Sequence, residues 1–398
     1  MRFEPGEPVP EGFIPLSVPE IRGNEWAYIK ECLDSGWVSS VGTFVDRFEK
    51  EVEEYVGHSE AVATVNGTAA LHVALLVAGV QPDDEVLVST LTFISPVNAI
   101  RYANAWPVLI DAEPNYWQMD VQKLGNWLES ECHRSNGELR NRFTGRRVKA
   151  ILPVHILGHP VDFESLLALA HKYELVVIED ATEALGAEYQ GRKVGSLGET
   201  ACLSFNGNKI ITTGGGGMLL TSNKEWATKA RYLTTQSKDD PIEYVHGEIG
   251  YNYRLTNLQA AMGCAQMEQL DNYIAAKQRI ASVYTSTLKE IPGVTPMPAA
   301  AWANPTFWMY TVLIDPAKYG MNSRSLLKRL AEQRIQSRPL WQPMHRSRAH
   351  AGAQATDCEV ADWICAHALS LPCSVGLTES EQDRVIDAIR SLHGKGEN

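Results

Sequence analysis

The 398-residue chain carries 36 Lys and Arg against 48 Asp and Glu, a formal net charge of −12. That balance opposes binding to a phosphate backbone, and no basic run marks one face, which argues against a nucleic-acid partner. The length and the 44% hydrophobic content suit a large core with a smaller domain attached, while seven scattered cysteines without metal-ligand spacing read as reduced thiols, so no metal is assigned.

The opening MRFEPGEPVPEGF is acidic and proline-rich, unlike a secretory leader, and no apolar stretch approaches bilayer length. A cytoplasmic protein with no membrane partner is the expectation. Residues 1–23, with Pro5, Pro8, Pro10, Pro15 and Pro19, read as an extended arm, because proline lacks a donor and disfavours helix before it. NEWAYIKECLDSG then predicts a helix with Trp26, Ile29 and Leu33 on one face, Asn24 capping its start and Gly36 ending it.

From about residue 60, short apolar runs (AVATV, EVLVS, PVLIDA, KAILPV, LVVIED) alternate with helical patterns such as TAALHVALLVAGV. That rhythm predicts an α/β fold with a mainly parallel sheet. Asp162 heads a helical stretch, so Lys149 to Asp180 reads as one strand, helix, strand unit, with Asp180 at a strand's C-terminal end, where ligands gather in open α/β sheets. Gly215 and Gly216 mark a tight backbone passage, and a long helical region over Thr256 to Ile291 follows. A second domain begins inside it: an arm over 1–23, a large domain over 24–265 and a smaller C-terminal α/β domain over 266–398.

Three segments could carry chemistry. In CLSFNGNKIITTGGGGM, Lys209 follows an apolar strand and precedes glycines. Desolvation and a neighbouring positive charge can both free its amine for an imine with an aldehyde cofactor; a solvated loop lysine is the alternative. In VVIEDATEALGA, Asp180 ends a buried strand, where a carboxylate needs a cation such as a protonated pyridine nitrogen, or else caps a helix. In ATVNGTAALHVAL, Gly67 and Thr68 open a helix whose free N–H groups suit a phosphate, the alternative being an ordinary turn capped by Thr68. Phe93 could stack on a flat ligand or pack in the core. His155, His159 and His345 have no partner at metal-ligand spacing, and no serine sits in a nucleophile elbow.

Taken in order, the GT turn, the TF pair, the EDA strand end, SFNGNKIITTGGGG and GYNYRLTNLQAA resemble the DegT-type (DegT/DnrJ/StrS) sugar aminotransferases of the fold type I pyridoxal 5′-phosphate (PLP) class, over most of the chain. FIPLSVPEIRGNEW and GWVSSVG resemble the subgroup that aminates 4-keto-6-deoxy-N-acetylhexosamine nucleotides, in legionaminic acid and bacillosamine pathways. The resemblance implies the aspartate-aminotransferase fold and a homodimer with shared active sites. It places the Schiff base on Lys209 and the ring-nitrogen partner on Asp180. Phe93 would stack on the ring, Gly67, Thr68 and Ser204 would surround the phosphate, and Asn252 would reach it from the neighbouring subunit. Two positions depart from many relatives: Glu183, where Gln or His is usual beside the ring, and Gly215, where glutamate is usual.

The implied activity moves an amino group from L-glutamate to the C4 ketone of a nucleotide-linked 4-keto-6-deoxy-N-acetylhexosamine, with Lys209 as anchor and general acid-base. Trp37, Ser39, Arg338 and His345 lie in segments resembling substrate-facing loops, and each equally suits a structural place. A C3 aminotransferase would share every cofactor residue. A dehydratase of this fold typically carries histidine in place of the lysine. A PLP-binding sensor without turnover is the reading from another class.

Overall fold

The computed structural model describes residues 10–57, 60–240 and 242–396; Pro5 and Pro8 of the arm lie outside them. The strands of the main sheet are built from β-branched and aliphatic runs: β1 (Glu60–Thr64), β2 (Glu85–Ser89), β3 (Trp106–Ile110), β4 (Val148–Leu152), β5 (Val176–Asp180), β6 (Thr200–Ser204) and β7 (Gly217–Thr221). In space they run β1, β7, β6, β5, β4, β2, β3, and Gln354–Ala355 extends the sheet beyond β3. Only β7 is antiparallel to its neighbours.

Successive side chains alternate between two apolar cores. Ala61 and Ala63 of β1 and Leu87 of β2 enter one, whereas Val62, Val86 and Val88 enter the other. Helices α3 (Gly67–Val77), α4 (Ser95–Tyr102) and α7 (Lys224–Thr234) cover the second core. The first is covered by α2 (Thr43–Val56), α5 (Val121–Glu131), α6 (Phe163–Tyr173) and α8 (Asn257–Met267). Each buried Val or Leu contributes about 1.5–3 kcal/mol, so a sheet apolar on both faces is stable only between helical layers. Asp162 caps α6 through Ser165, and β4, α6 and β5 form the expected crossover.

C-terminal to α8, α9 (Leu270–Leu288) leads into a smaller antiparallel sheet of Val294–Pro296, Tyr310–Ile314 and Ala368–Leu371. The helical pattern expected over 256–291 is therefore broken after Met267. At the break, Glu268 turns to accept from Tyr28 Oη at 2.6 Å and Asn24 Nδ2 at 2.7 Å. That bond also withdraws the Asn24 side chain from capping α1 (Glu25–Ser35), which ends as expected at Gly36, with φ 76°. The stripe of Trp26, Ile29 and Leu33 lies on an outward face: Trp26 is 83% exposed and Leu33 60%, while Glu25 and Cys32 turn inward. Cys32 packs there because its thiol donates to the Asn257 carbonyl and accepts from the Asn257 amide.

Candidate active site

The C-terminal ends of β5 and β6, the turn from β1 into α3 and the segment after β2 converge on a cleft of about 480 Å³. Gly67, Thr68, Phe93, Asp180, Glu183, Ser204, Lys209 and Arg338 all line it. The close approach depends on two glycines. A Cβ on Gly67 would lie 3.0 Å from Ser204 Cβ and 3.1 Å from Thr182 Cγ2, and one on Gly217 would collide with the Asn66 backbone.

Asn66, not Thr68, caps α3, accepting from the Ala69 N–H at 2.8 Å. Thr68 is thereby left to donate to Ser95 Oγ at 3.1 Å. The first N–H groups of α3 and the hydroxyls of Thr68, Ser95 and Ser204 form a cradle for an anion.

Asp180 is 2% exposed and accepts from the Thr182 N–H at 3.1 Å. Burial pushes its carboxyl up, against the opposing pull of Thr182 and the charge of Lys209. A carboxylate so placed calls for a cation, which a protonated pyridine nitrogen supplies.

Lys209 follows β6 and turns its amine back into the cleft. Burial lowers its pKa, as expected, but no positive neighbour adds to that shift: the charges acting on it are Glu183 and Asp180, which oppose it. Its Nζ lies 3.9 Å from Glu183 Oε1 and 3.9 Å from the centroid of the Trp308 indole. Glu183 Oε2 accepts from the Leu157 N–H at 2.8 Å, and burial raises this carboxyl to about 7. Leu157 presents that N–H from a left-handed turn (φ 61°), a conformation held only where its surroundings over-determine it.

Trp308 has no local sequence signal, yet it forms the roof over Lys209. Its indole N–H donates to the Asn208 carbonyl at 2.7 Å and stacks on Trp341 at 6.2 Å. Lys277, 3% exposed, donates to the Trp308 carbonyl at 2.8 Å from behind. Phe93 is 49% exposed on the cleft wall, edge-on to Trp341 at 6.3 Å.

Three expected residues, His345, Trp37 and Ser39, do not line this cleft, and neither does Asn252, which was expected at the neighbouring subunit's site. The ring of His345 is held by Thr90 Oγ1 at 2.9 Å and Asp362 at 3.1 Å, which fixes it as a strut between segments. Trp37 and Ser39 lie on an exposed loop tied to α8 through their carbonyls, which accept from the Asn257 amide at 2.8 Å and backbone N–H at 2.6 Å. Asn252 is exposed and bridges Thr235. Arg338 does line the cleft, its backbone paired with Ser370. His155 and His159 are buried structural groups. Ala300 N–H donates to His159 Nε2 at 3.0 Å, and burial lowers that imidazole to about 4. Among the described residues no cluster of His, Cys, Asp and Glu could hold a metal.

A carboxylate for a ring nitrogen, a desolvated lysine for an aldehyde and a helix N-terminus with hydroxyls for a phosphate fit one group, and the fold with this site defines a fold type I PLP enzyme. A profile of the DegT/DnrJ/EryC1/StrS aminotransferase family matches residues 19–390, and the chain belongs to that family. It is 40% identical over 377 residues to a GDP-perosamine synthase of Caulobacter vibrioides, covering 94% of this chain and 97% of that protein. The GDP-perosamine synthase of Escherichia coli O157:H7 is 38% identical over 84% of this chain and 86% of its own. Among solved structures, S. venezuelae DesV superposes with a TM-score of 0.83 at 29% identity, over 92% and 94% of the two chains. A Brucella abortus family member gives a TM-score of 0.85 at 27% identity, over 93% and 95%. The chain is a PLP-dependent nucleotide-sugar aminotransferase.

Proposed function

We propose that the enzyme takes the amino group of L-glutamate and transfers it to the C4 ketone of a nucleotide-linked 4-keto-6-deoxy sugar in the cytoplasm. The observation that carries this reading is the alignment of Asp180, Lys209 and the α3 N-terminus in one cleft. When bound, PLP supplies the electron sink that lets an amino-acid C–H bond break. The chain's own residues do the rest. Asp180 holds the ring nitrogen and its charge, and the N–H groups at Gly67 and Thr68, with the hydroxyls of Thr68 and Ser204, hold the phosphate. Phe93 bounds the ring's face, and Lys209 anchors the aldehyde carbon and, once released, carries the proton between donor carbon and cofactor. Arg338, free of ion pairs among the described residues, is placed to meet a substrate carboxylate or diphosphate.

Two acceptors compete. The FIPLSVPEIRGNEW and GWVSSVG segments favour an N-acetylhexosamine, whereas the relatives named GDP-perosamine synthase favour a GDP-linked sugar that becomes GDP-perosamine, and we place the GDP-linked acceptor first. The deciding experiment offers the PLP-loaded, glutamate-treated protein GDP- and UDP-linked 4-keto-6-deoxy sugars, with and without the N-acetyl group, and reads the aminated carbon by NMR. Amination at C3, or of neither class, would overturn this reading.

The homodimer belongs to the same proposal. The outward stripe of Val18, Ile21, Trp26, Leu33, Trp37, Val38 and Val41 is a contiguous stretch of sequence rich in exposed apolar side chains. Docking a second copy there would bury that surface, and the same proposal assigns Asn252 to the partner's phosphate site.

A further inference from the structure

Glu183 spends more than its neighbours require. The Leu157 N–H needs one acceptor oxygen, and a neutral amide of the same shape would supply it. A carboxylate instead is 5% exposed, and burying a charge costs several kcal/mol unless it is paired. The group that offsets this cost is Lys209: with Oε2 fixed on Leu157, Oε1 is left 3.9 Å from the lysine Nζ. The turn is shaped for that approach. Gly158, with φ 86°, lets the backbone pass where a Cβ would stand 3.1 Å from the Glu183 carbonyl and 3.0 Å from the Trp308 N.

The charged groups around the pair are few. Asp180 acts on both Lys209 and Glu183, Lys209 acts on both carboxyls, and His155 acts on Asp180. The Leu157 turn brings only its N–H and Trp308 only its ring face. If Asp180 is matched to the cofactor ring, Glu183 is the one carboxylate left for the Lys209 ammonium.

Resting on the PLP reading above, we propose that Glu183 is a catalytic acid-base residue that takes the proton of the Lys209 ammonium and returns it. The step moves one proton from Nζ to Oε1: lysine ammonium and glutamate carboxylate become neutral amine and neutral carboxylic acid. No electron changes hands, and the pair's net charge stays zero. Rotation about the last Lys209 torsions closes the gap, beneath the Trp308 indole whose centroid lies 3.9 Å from Nζ. The carboxyl's rise to about 7 suits an exchange with an amine lowered by burial.

The test uses the full chain without cofactor. Acetylation of Lys209 by acetic anhydride, followed by peptide mass spectrometry across pH, gives the amine's titration midpoint. Glu183→Gln keeps an acceptor for Leu157 and removes the charge, and the midpoint is expected to fall by about one pH unit or more. An unchanged midpoint would overturn the proposal. Should that variant fold poorly, the reciprocal measurement stands. Difference infrared titration of the carboxyls in Asp180→Asn and in Asp180→Asn with Lys209→Met should show the remaining buried carboxyl titrating higher once the lysine is gone, and no change overturns the coupling. In the loaded enzyme, Glu183→Gln should lose an acidic limb from the pH profile of glutamate conversion, which a purely structural role would leave in place. Coupling without glutamate conversion would sink the functional reading alone; conversion without coupling would sink the role of Glu183 alone.

Discussion

The Nζ of Lys209 stands over the face of the Trp308 indole, 3.9 Å from its centroid. The ring is pinned by its own N–H to Asn208 and by the buried Lys277 amine on its carbonyl. Under the proposed function, this ring gives Lys209 a place to rest within reach when it is not attached to the cofactor. Cation–π contacts of this kind contribute about 1–2 kcal/mol when desolvated. Trp308→Leu should therefore slow glutamate-driven conversion by about tenfold in stopped-flow absorbance, and Trp308→Phe by less. A leucine variant at the wild-type rate would remove Trp308 from the account.

Asp180→Asn keeps the shape and the bond from the Thr182 N–H but loses the charge opposite the ring nitrogen. Single-turnover conversion with glutamate should fall by about 100-fold or more, the scale of a lost contribution to proton transfer, while cofactor still binds. A near-wild-type rate would mean that the ring is not held as proposed.

His159 links the Ala300 N–H to the Pro160 carbonyl as a neutral ring, lowered by burial to about 4 from an ordinary 6.5. The folded state refuses a proton that the unfolded chain accepts, so this group contributes no pH dependence above 6.5 and costs stability progressively as pH falls from 6.5 to 4. The gap corresponds to about 3 kcal/mol. Denaturant unfolding of wild type and His159→Gln should show the variant's deficit at neutral pH shrinking by that order toward pH 4. A deficit independent of pH would contradict a neutral ring.

Gly217 lies against the Asn66 backbone where β7 passes the start of α3. Gly217→Ala forces those segments apart, and overpacking of this kind costs about 1–3 kcal/mol. Because Asn66 caps α3, the cradle moves with it, and PLP affinity should fall together with the melting temperature. Loss of neither would show that the passage has slack.

The residues of the cleft that were legible in the sequence are those whose neighbours carry the signal. Lys209 precedes glycines, Asp180 ends an apolar run, and Gly67 opens a helix after a strand. Trp308 and the Leu157 N–H were not legible, because the first is placed by Lys277 and Asn208, far away in the chain, and the second by a left-handed turn in a non-glycine residue. The α1 stripe was legible as one apolar face, but which way that face turns was not. Periodicity reports that a face is apolar, and what covers it depends on the other elements, here Asn257 drawing Cys32 inward. His345 was placed by the loop it sits on, whereas Asp362 and Thr90 hold its ring away from the cleft.

The central claim is that Lys209 binds PLP and that glutamate discharges its amino group there. It is tested most directly by the visible absorption spectrum of the purified protein incubated with PLP, then titrated with L-glutamate, beside Lys209→Ala. Wild type alone should show a band of lysine-bound cofactor, which gives way to that of the aminated cofactor as 2-oxoglutarate appears and returns when an accepted nucleotide-linked keto-sugar is added. A lysine-bound band that glutamate leaves unchanged would contradict the assigned donor, and the same band in Lys209→Ala would contradict the site itself.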